Sequence, residues 1–166
     1  MSYEPAYSPW GLIQTRKTLC PGFFDVSTAS HGGIMVAREF VAGNLSPAAQ
    51  RYGFWEGGYL CFEEDSDAQI VLRELMDRGL YTAPVNEYFG PGEYSKCIDD
   101  TIRVCHPDYW RAHEAGLIQP AQQPKVKERE RSGADFAACD THGTTIRQAA
   151  VYSDHGAVRK SGYLSC

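Results

Sequence analysis

The chain has 166 residues, of which 43% are hydrophobic and 22% are charged, and its formal net charge is −5. This length and composition are typical of one globular domain with a small appendage, and they exclude a low-complexity chain. Its apolar runs are shorter than the ~20 residues of a membrane span, and its first residues show no signal-peptide pattern, so we expect a cytoplasmic protein without a membrane partner.

The first two elements in chain order are predicted to be β-strands. Residues 10–19 form a strand-like segment, which the turn pair Pro21-Gly22 closes. Residues 23–28 then place alternate side chains on two faces and are rich in β-forming residue types. This period of two predicts extended backbone.

A β-hairpin is predicted at the next turn. Residues 33–37 form a second short apolar run, and Ser30–Gly33 separate it from the strand before. Because glycine adopts positive φ without strain, Gly32 and Gly33 are expected to make the tight turn. His31 would then lie at the tip of the hairpin.

Helix signals dominate the middle of the chain. Ser46 and Pro47 have the residue types of an N-cap and a first helical position, which predicts a short helix. Residues 59–63 predict a strand, and a capping box at 66–69 begins a helix that extends to Gly79. The apolar repeat along this helix predicts one buried face, made by Ala68, Val71, Leu72, Leu75 and Met76.

Two further helices are predicted after a loop rich in proline and glycine. The first spans about residues 93–105, and the second runs from Pro107 to Gly116. The inner face of the first is predicted to contain Tyr94, Ile98, Ile102 and Cys105.

These elements predict an α+β fold, in which two or three helices pack on a small antiparallel sheet. The main domain is predicted over residues 1–118. Residues 119–134 contain two prolines and a dense run of charges, which predicts a linker. Residues 135–166 are predicted to form a short β-rich C-terminal appendage, too small for a core of its own.

One candidate site combines His31 with the acidic run Glu63, Glu64 and Asp65. Carboxylates where a strand meets a helix could bind a divalent cation through their oxygens, or orient His31 as a general base. The structural alternative is that the acids meet the positive end of the helix and that His31 is merely solvated. The sequence contains no phosphate-binding loop or other established catalytic motif, so no cofactor is predicted.

A second candidate is a zinc site in the C-terminal appendage. Cys139 and His142 have the spacing of a zinc knuckle, and His155 and Cys166 would have to complete it. These last two residues are widely separated, and Cys166 is the last residue, where chains fray. A weak candidate of this kind does not amount to a predicted metal.

The third candidate is an acidic and aromatic surface for a protein partner. Residues 1–118 carry 9 Lys/Arg and 16 Asp/Glu, whereas residues 119–166 carry 7 and 5. This balance argues against direct nucleic-acid binding and favours basic protein surfaces, and Tyr and Trp often anchor interfaces. An ordinary core is the alternative for the aromatic residues. The predicted binding residues are Glu63, Glu64, Asp65, Asp67, Asp99, Asp100, Trp55, Tyr59, Tyr88 and Trp110.

Three motifs carry a resemblance to a known family. They are Trp10-Gly11, the segment VSTASHGG from Val26 to Gly33, and Glu63–Asp65 before a helix. Over about residues 10–110 the chain resembles an uncharacterised domain encoded on bacterial conjugative plasmids, integrative elements and phages. The resemblance implies a mobile-element setting and assigns no catalytic residue.

Small acidic proteins from that setting often resemble anti-defence factors, which bind a host nuclease complex and need no active site. The leading hypothesis is a non-enzymatic anti-CRISPR or anti-restriction protein that inhibits a CRISPR effector or restriction nuclease. One alternative is an enzyme that uses His31 with Glu63, Glu64 and Asp65. Another is a plasmid-maintenance accessory protein.

Overall fold

A computed structural model of the protein describes residues 4–119. Its strands are β1 (Thr15–Cys20), β2 (Phe23–Ser27), β3 (Gly32–Ala37), β4 (Phe54–Glu56) and β5 (Tyr59–Glu63). Its helices are α1 (Arg38–Asn44), α2 (Pro47–Gln50), α3 (Ala68–Asp77), α4 (Glu93–Cys105) and α5 (Pro107–Glu114). The strands pair antiparallel throughout, in the order β1-β2-β3-β5-β4.

An antiparallel sheet packed by helices confirms the predicted α+β class. Helices α3, α4 and α5 were predicted, and so was the short helix α2 with Ser46 as its N-cap and Pro47 as its first residue, whereas α1 was not. None of the helices within residues 4–119 is both long enough and apolar enough to cross a membrane. The predicted appendage (135–166) and all but the first residue of the predicted linker (119–134) lie outside the described residues.

Apolar side chains are buried on both faces of the sheet. Helices α1 and α3 pack on one face and α4 packs against α3, so that Phe23, Val36 and Phe62 share the main core with Leu75 and Ile98. On the other face a smaller buried cluster consists of Phe24, Val26, Met35 and Cys61. Trp10 and Ile13, which precede β1, pack against this smaller cluster. The segment predicted as the start of the first strand therefore covers the second face instead, and β1 begins only at Thr15.

The hairpin between β2 and β3 turns earlier than predicted. The Thr28 N–H donates to the His31 carbonyl oxygen (N···O 2.8 Å), so the chain reverses between these two residues. Gly32 and Gly33 belong to β3, where they pair with Ser27 and Val26. The prediction that the two glycines make the turn is therefore wrong.

Close packing explains why β3 begins with glycine. A Cβ on Gly33 would lie 2.1 Å from the Phe62 carbonyl oxygen and 2.6 Å from the nearest atom of the Trp10 ring. A Cβ on Gly32 would lie 2.6 Å from the Glu64 carboxylate. The two residues thus let a neighbouring strand and an indole ring approach the backbone closely.

Two local predictions for the helices are also wrong. The capping box at 66–69 does not form, because the buried Gln69 side chain donates instead to the Glu64 carbonyl oxygen (2.9 Å). The Asp67 side chain at the N-cap of α3 makes no capping hydrogen bond. Cys105, predicted on the inner face of α4, is exposed.

Candidate functional site

His31 and the predicted acidic residues lie at the same end of the sheet. In the antiparallel register Gly33 pairs with Glu63, and the Glu64 N–H donates to the Gly32 carbonyl oxygen (3.2 Å). The side chain of His31 is close enough for its charge to act on Glu64. We call Glu63, Glu64 and Asp65 the acidic turn.

The electrostatics of the acidic turn are set by the partial burial of Glu64 and by the negative charge beside it. Burial and the neighbouring Asp65 carboxylate raise the pKa of Glu64, while His31 acts in the opposite direction. Glu63, Asp65 and His31 are exposed, and Glu64 is half-buried. Across residues 4–119, no three His, Cys, Asp or Glu side chains are arranged to hold a metal ion. The weak zinc candidates Cys139, His142, His155 and Cys166 lie outside the described residues.

Two of the other predicted binding acids, Asp99 and Asp100, are ion-paired on the helices, and the third, Asp67, lies beside a histidine. Each of the three has a basic partner across or along a helix, and the pairs are Asp99–Arg73 (3.1 Å), Asp100–Lys96 (2.6 Å) and Asp67–His106 (3.0 Å). A paired carboxylate contributes little to the field outside the protein. The predicted acidic face is therefore concentrated at the acidic turn.

The predicted aromatic residues fall into two groups. Trp110 is only 7% exposed and belongs to the main core, so its assignment to a binding surface is wrong. Trp55 and Tyr88 are exposed, while Tyr59 is half-buried. Trp55 stacks under the guanidinium of Arg38 at 4.5 Å from the ring centroid. It lies on β4, the edge strand beside β5, and so near the strand that leads to the acidic turn.

A second candidate site, which sequence reasoning missed, lies between α3 and α5. Three side chains on or just before α5 contact three carboxylates on or just before α3. The contacts are His106 Nε2–Asp67 Oδ1 (3.0 Å), Tyr109 Oη–Glu74 Oε1 (2.9 Å) and His113 Nε2–Asp77 Oδ2 (2.7 Å). The Tyr109 and His113 contacts are hydrogen bonds that join the two helices, whereas His106 Nε2 lies near Asp67 without making a hydrogen bond among the described residues.

Glu74 is the central residue of this second site. It is 7% exposed and accepts hydrogen bonds from the Ser46 N–H (2.7 Å), the Ser46 hydroxyl and the Tyr109 hydroxyl. Ser46 Oγ also accepts from the Ala49 N–H (3.0 Å) as the N-cap of α2. Burial and the Glu74 carboxylate raise the pKa of Tyr109, which keeps its hydroxyl protonated as a donor. One carboxylate therefore joins α2, α3 and α5.

A cavity of about 310 Å³ opens beside Glu74. Its lining residues are Ser46, Glu74, Asp77, Arg78, Tyr109, His113, Gly116 and Ile118. The His113 ring stacks on Trp110 at 5.4 Å, and its Nδ1 is buried without a hydrogen-bond partner among the described residues. Because Nε2 is bonded to Asp77 and Nδ1 is inaccessible, His113 offers no free nitrogen to a substrate. The cavity is large enough to bind a small ligand. Its histidine, however, is not placed to act as a general base.

Residues 3–135 match one protein family, described as a domain of unknown function (DUF7007). The chain belongs to this family. The matched segment includes the acidic turn and the cavity, so both are parts of the DUF7007 domain. It also includes the motifs on which the resemblance to an uncharacterised family was based. No solved structure matches the chain significantly.

Partial or full burial suppresses the thiol chemistry of two described cysteines of this DUF7007 domain, Cys20 and Cys61. Burial raises the pKa of the Cys61 thiol to about 12 and that of Cys20 to about 11. Since the thiolate is the reactive form, neither residue suits a nucleophile. We expect iodoacetamide at mildly alkaline pH to label the exposed Cys105 first among these three, which peptide mass mapping would check. Labelling of Cys61 before Cys105 would show that β5 opens readily.

Proposed function

We propose that this domain is a non-enzymatic, cytoplasmic protein-binding module whose acidic turn docks on a basic surface of a partner protein. The observation that carries the proposal is that the acidic turn has no basic ion-pair partner among the described residues. Within residues 4–119, no Lys or Arg forms an ion pair with Glu63, Glu64 or Asp65. Unpaired exposed carboxylates create a local negative potential, which steers a basic partner to this end of the sheet.

The neighbouring edge strand supplies apolar anchors for the same interface. Phe54 is 41% exposed and Trp55 is 48% exposed, although both belong to a regular strand. Phe54 pairs with Cys61 on β5, two residues before Glu63. Large aromatic side chains beside unpaired charge combine the two features of an interface, an anchor and a steering field.

The partner in this proposal is a host nuclease complex, either a CRISPR effector or a restriction nuclease. Proteins of this kind expose basic surfaces where they hold nucleic acid, and an acidic protein can occupy such a surface. The resemblance of the motifs to a domain of conjugative plasmids, integrative elements and phages supports an anti-defence setting. Neither direct nucleic-acid binding nor a membrane is part of the proposal.

The test begins with a pull-down from host lysate, followed by kinetics with the captured partner. Reversing Glu63, Glu64 and Asp65 to Lys is expected to slow association by about 10-fold or more at low salt. His31→Ala is expected to leave the rate within about twofold, because the negative potential that steers the partner comes from the three carboxylates and not from His31. Circular dichroism verifies that each variant folds.

A matched control separates local charge from net charge. Reversing Asp100, Asp108 and Glu114 to Lys changes the net charge by the same amount, but on α4 and α5. This control is expected to associate at nearly the normal rate. If His31→Ala no longer inhibited the partner while the variant with Lys at 63, 64 and 65 inhibited it normally, the proposal would be contradicted. That result would favour the enzyme alternative. Capture of a plasmid-maintenance protein instead would favour the other alternative.

A further inference from the structure

The cavity between α3 and α5 contains a buried carboxylate, Glu74, that has no cationic partner among residues 4–119. Its donors in this part of the chain are neutral groups, namely the amide and hydroxyl of Ser46 and the hydroxyl of Tyr109. In the part of the chain that the structure describes, no Lys, Arg or His forms an ion pair with Glu74. Buried ionised carboxylates are usually paired with a cation, because desolvation of an unpaired charge is costly.

The second carboxylate of the cavity is already occupied. Asp77 Oδ1 accepts from Arg73 (2.8 Å), and Asp77 Oδ2 contacts His113 Nε2 (2.7 Å). Glu74 differs in that its three hydrogen-bond donors among the described residues are neutral, whereas Asp77 is paired with the Arg73 guanidinium. Its two oxygens offer about four acceptor positions, which leaves one for a charged ligand.

The remaining walls suit the stem of a small organic cation. Ile118 supplies an apolar surface, and the Tyr109 ring can face a positive charge favourably. The cavity volume, about 310 Å³, is at the small end of ligand pockets. Arg78 also lines the cavity, but it is exposed, so solvent screens its repulsion of the cation held by Glu74. Its charge still disfavours a ligand with a second positive group.

We propose that this cavity binds a single alkylammonium or alkylguanidinium group, with the charged head on Glu74 and the alkyl stem against Ile118 and Tyr109. The ligand is either a free small amine or the side chain of a Lys or Arg in a peptide, which share this chemistry. The site has no residue in common with the acidic turn. The proposed ligand and the proposed function can therefore be tested independently of each other.

The binding test uses the full chain and four probes in calorimetric and NMR titrations. n-Butylamine and n-butylguanidine, both cations at neutral pH, are expected to bind with a Kd of about 1 mM or tighter. The neutral isostere 1-butanol is expected to bind at least about 10-fold more weakly, because it lacks the charge. The fourth probe, N-acetyl-lysine methylamide, distinguishes the sources: tighter binding than n-butylamine indicates a peptide ligand, and weaker binding indicates a free amine. Equal affinity for n-butylamine and 1-butanol would overturn the proposal.

Two variants connect binding to the cavity. Glu74→Gln keeps the shape and removes the charge, and it is expected to weaken n-butylamine binding at least about 10-fold. Ile118→Trp fills the cavity from a half-buried position, so it tests the site even if Glu74→Gln fails to fold. Glu114→Gln removes an exposed carboxylate of α5 and serves as the control with unchanged binding. Unchanged n-butylamine affinity in folded Glu74→Gln or in Ile118→Trp would refute the assignment.

Discussion

Replacement of Gly33 by alanine is expected to lower the free energy of unfolding by about 3 kcal/mol, a large effect for one methyl group. The added Cβ would lie 2.1 Å from the Phe62 carbonyl oxygen, so β3 and β5 would have to move apart. The Trp10 ring, 2.6 Å away, blocks the alternative shift toward the second face. Urea denaturation followed by circular dichroism measures the change.

A second glycine provides the matched control for this prediction. A Cβ on Gly90 would have its nearest contact at 3.3 Å, with the flexible end of the Glu93 side chain. Gly90→Ala is therefore expected to change stability by less than about 1 kcal/mol. If Gly33→Ala unfolded at the same urea concentration as the unmodified protein, β3 and β5 would be farther apart than the structure shows.

Truncation of Leu75 to alanine is expected to destabilise the domain by about 2–5 kcal/mol. Leu75 is 0% exposed and lies in the main core, where α3 packs on the sheet, so the truncation leaves a cavity. The measurement is again urea unfolding, with an unchanged dependence on denaturant as a check for two-state behaviour.

An exposed apolar position on the neighbouring helix supplies the control. Val104 in α4 is 79% exposed, so Val104→Ala removes methyl groups without leaving a cavity. It is expected to change stability by about 0.5 kcal/mol or less. Equal stability of Leu75→Ala and Val104→Ala would mean that α3 does not pack through Leu75.

Periodic patterns and terminal signals identified most of the fold from sequence. The alternation in β2 and the helical repeat in α3 are properties of contiguous residues, so they are visible without tertiary information. Pro107 and Gly116 marked the ends of α5 in the same way. By contrast, α1 follows β3 directly and its N-cap, Ala37, has no capping side chain. The edge strand β4 has only 3 residues, too few to show a period.

Tertiary neighbours decided the features that sequence reasoning got wrong or missed. Two consecutive glycines suit a turn as well as a close approach, and only the positions of Trp10 and Phe62 distinguish the two at Gly33. The acidic turn could be proposed because its residues are contiguous. The site at Glu74 could not, since its partners Ser46 and Tyr109 are 28 and 35 positions away.

The strand order bears on how the sheet assembles. Strands β1, β2 and β3 form successive hairpins, and β4 pairs with β5 across a short turn, so these pairings link segments close in sequence. Among the five described strands, the pairing of β3 with β5 is the one that joins distant segments, across the stretch that contains α1 and α2. Local pairings form quickly, whereas a non-local one first requires loop closure. We therefore expect the pairing of β3 with β5, where Gly33 lies against the backbone of Phe62, to be the slow step in assembling this sheet.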